Sequence, residues 1–240
     1  MSLNILWDSA IVKEYPNLII GYSVIHDVHV SKRDHDMEVF IKKKEEELRR
    51  RYSLEELKNV RKVRLYRDFF WRLGIDPTKK RPASEALLRR ILRGKGLPKI
   101  SNVVDAYNLA SVETLITLSA YDLDKVRLPL SVRFARKGEK AILIGNREVE
   151  LTGKEIVLTD GEGILCVLIH GDVERTKVTM NTKNIILIAY GVPGIDENEI
   201  INAIDKASEY IIRFAGGSIK SRSIVEPNVH LSVSNGGQHH

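Results

Sequence analysis

Hydrophobic and polar positions change their period near residue 126, about halfway along the 240-residue chain. Before that point, apolar residues recur mainly at helical spacing, apart from a β-branched stretch over 18–30 that indicates a strand. After it, alternating segments and short apolar runs indicate strands, and an amphipathic helix follows over 196–216. The pattern predicts an α+β fold, with helices concentrated in the N-terminal half and a mainly antiparallel sheet in the C-terminal half, closed by that helix.

Five helical segments are predicted before residue 118. They are 34–51, a short helix after Ser53, 59–73, a helix that begins at Pro82 and stops at Gly94, and 101–117. Asp34 suits the N-cap of the first, because its side chain can accept a hydrogen bond from a free backbone N–H. Ser53 and Glu56 have the S-x-x-E spacing of a capping box. Ser101 or Asn102 is expected to cap the last segment.

Two turns are expected among the later strands. Residues 127–145 alternate in polarity around Lys137-Gly138, which predicts a hairpin that turns at this pair. Gly161 and Gly163 indicate a second turn. The chain is predicted to form a single domain over 1–230, followed by a flexible tail over 231–240.

The composition narrows the class of protein. A hydrophobic content of 43% suffices for one substantial core, and no apolar run approaches the roughly 20 residues of a membrane helix. The first residues lack the basic and apolar regions of a signal peptide, so a cytoplasmic protein without membrane contact is expected. The single cysteine, Cys166, lies in an apolar run and is expected to be a buried, inert thiol.

Sequence motifs for metal or nucleotide chemistry are absent. The chain has no C-x-x-C, H-E-x-x-H, P-loop, G-x-G-x-x-G or G-x-S-x-G motif. His26 and His29 are three residues apart in a predicted strand, where their side chains would point to opposite faces. No metal and no cofactor are therefore predicted. Whether the chain is an enzyme stays open, and any catalysis would rely on side chains, water or the substrate itself.

Charge is distributed unevenly along the chain. Residues 32–99 carry 22 Lys and Arg against 11 Asp and Glu, a net charge of +11, so the remainder carries −5 of the total of +6. This asymmetry favours an anionic partner, with nucleic acid first. The alternative is a solvated helical surface, which is the preferred interpretation for the charge run over 34–51.

A basic loop and helix over 74–94 concentrate that charge. Two X-Pro pairs, Asp76-Pro77 and Arg81-Pro82, indicate a rigid loop ahead of the helix. The residues predicted to contact RNA phosphates are Lys79, Lys80, Arg81, Arg89, Arg90 and Arg93. In the alternative interpretation Glu85 and Arg89 form an internal ion pair and the lysines are only solvated.

Three stretches resemble one known family. They are "LGIDPTKKRPASEALLRRILRGKGLPKISNVVDAYNLASVETLITLSAYDLDKV", the "AYDLDKV" turn at its end, and "HGDVERTKVTMNTKNIILIAYG". They are similar to the tRNA-binding and editing B3/B4 domain of the phenylalanyl-tRNA synthetase beta subunit. The resemblance covers about residues 60–216, and no catalytic motifs of the synthetase accompany it. It implies a compact α+β domain with a cleft that hydrolyses the ester of tyrosine wrongly attached to the phenylalanine tRNA.

The resemblance also implies where the site residues lie. A threonine-asparagine pair of the family falls on Tyr107 and Asn108, and its histidine falls on Ser119. Both Tyr107 and Ser119 depart from the family pattern, which puts the tyrosine specificity in question. The implied catalytic residues are Asn108, Ser119 and Glu174. The implied substrate-binding residues are Tyr107, Tyr121, Thr176 and His170.

The expected function is trans-acting editing of a mischarged tRNA, with binding of the tRNA acceptor end and of an amino acid or aminoacyl ester. A non-catalytic tRNA- or amino-acid-binding module and a small-molecule ester or amide hydrolase are the alternatives. Structural roles are also possible: Asn108 could bond a nearby carbonyl, and Glu174 could pair with Arg175 or Lys177. The amino acid, the tRNA and the oligomeric state are left open.

Overall fold

The structure is a computed structural model that describes residues 3–227, and within this range it has six α-helices and eleven strands. The helices are α1 (Ser9–Glu14), α2 (His35–Arg51), α3 (Arg61–Arg72), α4 (Ala83–Leu92), α5 (Asn102–Thr114) and α6 (Glu197–Ala215). The strands are β1 (Ile5–Trp7), β2 (Ile19–His26), β3 (Thr117–Asp122), β4 (Leu130–Phe134), β5 (Lys140–Leu143), β6 (Arg147–Glu150), β7 (Ile156–Thr159), β8 (Ile164–Val167), β9 (Gly171–Asp172), β10 (Ile185–Gly191) and β11 (Ser218–Val225).

The strands form two main sheets and one hairpin. The first sheet has the order β11-β2-β10-β3 and is antiparallel throughout. The second has the order β1-β4-β7-β8-β9, in which only β1 and β4 run parallel. The hairpin joins β5 and β6. Five of the six helices precede β3, so the predicted α+β class and the helix-first, sheet-later order are confirmed.

Helix starts follow the predicted caps. The Asp34 side chain accepts a hydrogen bond from the backbone N–H of Met37, and Ser101 caps α5. Asp196 forms a complete capping box with Glu199 at the start of α6. These caps depend only on residues within one turn, which explains why the sequence indicates them correctly.

Three helix predictions need correction. After Ser53 only a 3₁₀ turn forms, at Leu57–Asn59, because Glu56 bonds the Ser53 hydroxyl and the reciprocal backbone bond of a capping box is missing. Pro82 lies at the N-cap of α4, one residue before the helix. Helix α5 ends at Thr114, since Leu115 adopts a left-handed φ of 58°, and Thr117 already belongs to β3.

The predicted hairpin around Lys137-Gly138 is wrong. Strand β4 pairs with β1 and β7, whereas β5 pairs with β6 across a turn that contains Gly145 and Asn146. Both turn residues have positive φ, 87° and 57°, as a tight hairpin connection requires. Alternation identifies a strand but not its partner, so the sequence could not distinguish the two turns.

The closing helix is not the last element. Strand β11 follows α6 and pairs with β2 at the edge of the first sheet. Most of its residues are exposed, so it lacks the apolar alternation that would have indicated it. The predicted tail over 231–240 lies outside the described residues.

Helix α6 packs unusually close to the first sheet. A Cβ atom at Gly21 of β2 would lie 2.3 Å from the Ile200 side chain, and one at Gly191 of β10 would lie 2.9 Å from it. The two glycines therefore make room for Ile200. Both sheets and all six helices contribute to one contiguous hydrophobic cluster. No helix within the described range is long and apolar enough to cross a membrane.

Candidate functional site

A pocket of about 460 Å³ opens between α5, the β5–β6 hairpin and the segment that follows β9. Its walls are mainly apolar, formed by Val30, Ile100, Val104, Ile144, Val178 and Met180. Its polar lining is formed by Ser101, Tyr107, Asn108, Asp172, Lys177 and Thr179. A pocket of this size with few polar groups suits a small ligand that has an apolar body and a polar end.

Helix α5 presents the predicted pair Tyr107 and Asn108 to this pocket. The Asn108 side chain makes no hydrogen bond within residues 3–227, so the alternative that it bonds a nearby carbonyl is wrong. Burial raises the pKa of Tyr107, and the charges of Asp172 and Asp105 raise it further. The Tyr107 phenol therefore stays protonated, and the Asn108 amide is free to bind a ligand.

Asp172 supplies the carboxylate of the pocket, and the sequence analysis missed it. Its Oδ1 accepts a hydrogen bond of 2.7 Å from the Tyr121 hydroxyl, and Ser119 and Cys166 also bond the carboxylate. Burial raises the pKa of Asp172, and these three neutral bonds offset part of that effect. No Lys or Arg of the described chain forms an ion pair with Asp172.

Ser119 and Tyr121 lie two residues apart on β3 and so share one face of the strand. Ser119 is a buried strand residue, only 6% exposed. Tyr121 is fully buried, and its hydroxyl lies 2.6 Å from that of Tyr190. Neither Ser119 nor Tyr121 lines the pocket, and the Tyr121 hydroxyl contacts Asp172 instead.

The thiol of Cys166 is buried, as predicted, beside this cluster. Burial raises the pKa of Cys166, and the neighbouring Asp172 charge adds to the effect. The thiol is therefore protonated and donates to the carboxylate, which makes it a structural donor rather than a nucleophile.

Three further predicted site residues, besides Ser119 and Tyr121, lie outside the pocket lining. The Glu174 carboxylate accepts a 2.9 Å hydrogen bond from the Gly145 N–H and pairs with Lys177, which together lower its pKa. It holds the hairpin tip and Lys177, as the structural alternative expected. Thr176 is fully buried, so its hydroxyl cannot reach a ligand. His170 contacts the Lys80 side chain.

The predicted RNA-contacting residues divide into two groups. Arg89 lies 2.6 Å from the buried Glu85 carboxylate, which Arg67 also contacts at 2.5 Å, so Arg89 serves an internal ion pair. Arg81 lies at the edge of the same cluster, 4.0 Å from Glu85. Arg90 bonds the Gly96 carbonyl through Nε. Lys79 and Arg93 are exposed, and their side chains form no hydrogen bond or ion pair among residues 3–227, although the charge of Lys79 acts on Asp76.

Within the described range, no three or more His, Cys, Asp and Glu side chains are grouped so that they could hold a metal ion.

Comparisons with known proteins agree on one family. The family model described as "B3/4 domain" matches residues 65–216, more than half of the chain. The phenylalanine–tRNA ligase beta subunit of Xanthomonas euvesicatoria is 29% identical over 169 residues, which cover 60% of this chain and 21% of that protein. The corresponding subunit of Aquifex aeolicus is 34% identical over 149 residues, covering 52% of this chain and 19% of that protein. The chain thus spans about a fifth of these curated relatives.

One solved structure is similar over most of the chain. It is an N-terminal fragment of the phenylalanyl-tRNA synthetase beta subunit from Pyrococcus horikoshii, with a TM-score of 0.49 and 16% identity. The similarity covers 91% of this chain and 50% of that fragment.

Proposed function

The chain belongs to the B3/4 domain family, and from that membership we propose that its pocket receives the aminoacyl end of a mischarged tRNA and hydrolyses the ester. The domain would act in trans on a charged tRNA. Support comes from the relatives, which are named as beta subunits of phenylalanine–tRNA ligase. The chemistry rests on the pocket itself.

The observation that carries the proposal is Asp172, which lines a mainly apolar pocket and whose buried carboxylate has no ion-pair partner in the described chain. A desolvated carboxylate of this kind is stabilised by a ligand that brings its own positive charge. The α-ammonium group of an aminoacyl ester supplies that charge. The apolar walls then accept the amino-acid side chain.

Asn108 supplies the second polar contact. With the ammonium group on Asp172, the free Asn108 amide donates to the ester carbonyl and stabilises the negative charge that develops on its oxygen. A water oxygen attacks the carbonyl carbon, and the bond from that carbon to the ribose oxygen breaks. The ribose oxygen takes a proton from the attacking water, and the vicinal ribose hydroxyl of the substrate orients that water. The products are a free amino acid and uncharged tRNA.

Exposed cations at the two ends of α4 would bind the RNA. Lys79 and Arg93 flank α4 and are free to meet phosphates of the acceptor end. Phosphate contacts of this kind position the RNA without reading its sequence.

A second function, amino-acid or aminoacyl binding without hydrolysis, is favoured by one observation. The two groups that could activate a water are occupied elsewhere, since Ser119 bonds Asp172 and His170 contacts Lys80. Hydrolysis then depends on the substrate ribose alone. A binding module would keep the same ligand and lack turnover.

The test is release of amino acids from a panel of mischarged tRNAs by the purified protein. We expect one or a few apolar amino acids to be released, and Asn108→Ala to slow release by about a hundredfold, as loss of an oxyanion donor does. Asp172→Asn should remove the ammonium contact and weaken both binding and release. The matched control is Asp68→Asn, an exposed aspartate of α3 with the same charge change.

The outcomes separate the two functions. Binding of aminoacyl-tRNA without release, lost in Asp172→Asn and kept in Asp68→Asn, identifies the binding module. Equal binding by Asp172→Asn and the unmodified protein would contradict both functions.

A further inference from the structure

Two basic side chains are in contact away from the pocket, and a third lies on the adjacent hairpin, where Leu143 pairs with Arg147 on one side and bridges to Val173 on the other. The Lys80 ammonium contacts the Nδ1 atom of His170, and the Arg147 guanidinium lies close enough to lower the pKa of both. Lys80 precedes α4, His170 lies in the turn between β8 and β9, and Arg147 begins β6. None of the three lines the pocket that contains Asp172.

The backbone holds each of the three in place. Lys80 N–H bonds the Asp76 carbonyl at 2.9 Å, and the Asp76 side chain closes the same turn by accepting from the Thr78 N–H. His170 N–H bonds the Val167 carbonyl at 2.8 Å. The hairpin that carries Arg147 is attached next to His170, because Ile144 N–H bonds the Asp172 carbonyl. The backbone segments that carry the three side chains are therefore fixed by hydrogen bonds.

No carboxylate neutralises this cluster. Among residues 3–227, Lys80, Arg147 and His170 form no ion pair, in contrast to the nearby arginines that share Glu85. Glu155 is the acidic group whose charge reaches His170, but its oxygens already accept from Thr152, Gly153 and Lys154. A half-buried cation such as Lys80, with no counter-ion and with the exposed Arg147 nearby, destabilises the fold.

The pKa values of Lys80 and His170 reflect the absence of a counter-ion. Burial, followed by the charge of Arg147, lowers the pKa of Lys80 to about 8. Burial and then Lys80 lower the pKa of His170. An anion bound between the three side chains would relieve both effects.

We propose that Lys80, Arg147 and His170 form a phosphate-binding site. Because an ammonium group has no acceptor, Nδ1 of His170 accepts from Lys80, and its Nε2 then carries the ring proton. The site thus offers the remaining ammonium protons, the planar fork of the guanidinium and an imidazole N–H. This set matches the oxygens of a phosphate group, and three charge-assisted donors from three elements give it geometry as well as charge. The ligand is a phosphate of an RNA backbone or of a small phosphorylated molecule.

The experiment follows the His170 imidazole signals by NMR during titration of the full chain with inorganic phosphate, at constant ionic strength maintained with chloride. We expect a saturable shift and a rise in the pKa of His170. Lys80→Gln and Arg147→Gln should each weaken phosphate about tenfold, the usual effect of losing one charge-assisted donor. Lys220→Gln, an exposed lysine of β11 with the same charge change, is the matched control and should bind as the unmodified protein does.

Two results would overturn the site. One is a shift that grows linearly with phosphate and equals the shift in chloride alone. The other is unchanged affinity in both Lys80→Gln and Arg147→Gln. Arg147 is exposed, so its variant keeps the test decisive should Lys80→Gln unfold, which circular dichroism would reveal.

A titration with uncharged tRNA distinguishes the two sources of phosphate. If the site holds an RNA phosphate, tRNA displaces inorganic phosphate, and Arg147→Gln lowers the slope of log K against log salt by about one. If it holds a small phosphorylated molecule, the variant loses inorganic phosphate and binds tRNA normally. Asp172→Asn should bind phosphate normally, so failure of the pocket and failure of this site are separable.

Discussion

Asp172 combines a disadvantage for folding with an advantage for binding. The residue lines the pocket, and its carboxylate is desolvated and accepts only neutral hydrogen bonds. A carboxyl group whose pKa is higher in the folded than in the unfolded chain destabilises the fold once it ionises. A cationic ligand removes that penalty, so stability and ligand affinity should change in opposite directions when Asp172 is altered.

Asp172→Asn is expected to stabilise the protein at pH 7. The amide keeps an oxygen for Tyr121 and has no charge to desolvate, so the melting temperature should rise by about 2–4 °C, which corresponds to roughly 1 kcal/mol in a chain of this size. Because the folded pKa is raised, the penalty is present at neutral pH and disappears as pH falls toward the usual value of 3.8. Thermal unfolding of both proteins between pH 3.5 and about 7 is the measurement. A lower melting temperature for the variant at pH 7 would contradict the assignment.

Among the structural elements, α4 is anchored by charge. The Glu85 side chain on its inner face is 1% exposed and contacts Arg67 of α3 and Arg89 one turn later. Burial alone would raise the pKa of Glu85, but the hydrogen bonds from the two arginines outweigh it and lower the pKa. The Arg67–Glu85 ion pair connects α3 to α4 and so fixes the direction of the basic loop between the two helices.

Glu85→Ala should destabilise the protein by about 3 kcal/mol, because it leaves partly buried guanidinium groups without a counter-charge. Urea unfolding at pH 7 measures the loss, and Glu148→Ala, whose exposed pair with Lys140 is worth under about 1 kcal/mol, is the control. Since the folded pKa of Glu85 is lowered, its contribution is present above the usual value of 4.5 and is lost as pH falls below it. Equal decreases in the free energy of unfolding for both variants would show that the buried Glu85 ion pairs contribute no more stability than an exposed pair.

The contact of α6 with the first sheet gives a second prediction for an element. Gly21→Ala would place a methyl group against Ile200, and overpacking of this kind costs about 1–3 kcal/mol. Ile200→Ala removes the Cγ2 atom that the new methyl group would meet, so Gly21→Ala should cost less in the Ile200→Ala background than in the unmodified chain. A double-mutant cycle by urea unfolding measures the coupling. Additive losses would mean that the helix shifts instead of clashing.

At the scale of the whole molecule, most of the excess positive charge lies in residues 32–99, away from Asp172 in the sequence. The +11 of residues 32–99 is partly neutralised internally, as the cluster around Glu85 shows. Lys79, Lys80, Arg93 and Arg147 form no ion pair within the described chain. Cations without a carboxylate partner, these four among them, are the ones expected to contribute most to the salt dependence of RNA binding.

Binding of uncharged tRNA should weaken with salt, with a slope of log K against log salt of about −3 for a few phosphate contacts. The double variant Lys79→Gln, Arg93→Gln should reduce the slope by about two, and Lys220→Gln should leave it unchanged. Filter binding between about 50 and 200 mM potassium chloride is the measurement. If the affinity for tRNA does not change with salt concentration, the proposed RNA-binding surface is contradicted.

The sequence alone determined the α+β class, the longer helices and the caps at Asp34 and Ser101, because helix signals lie within a few residues of one another, whereas the short helix α1 was not predicted. The pair Tyr107 and Asn108, which the family resemblance implies, lines the pocket. Strand partners were decided by tertiary structure, as the true β5–β6 hairpin and the polar β11 show. The same holds for Asp172: nothing near it in the chain marks it, and its role arises from burial beside residues about 50 positions away on β3. Desolvation and convergence of charge are properties of the packed molecule, so only the folded structure could reveal the carboxylate of the pocket and the group of Lys80, Arg147 and His170.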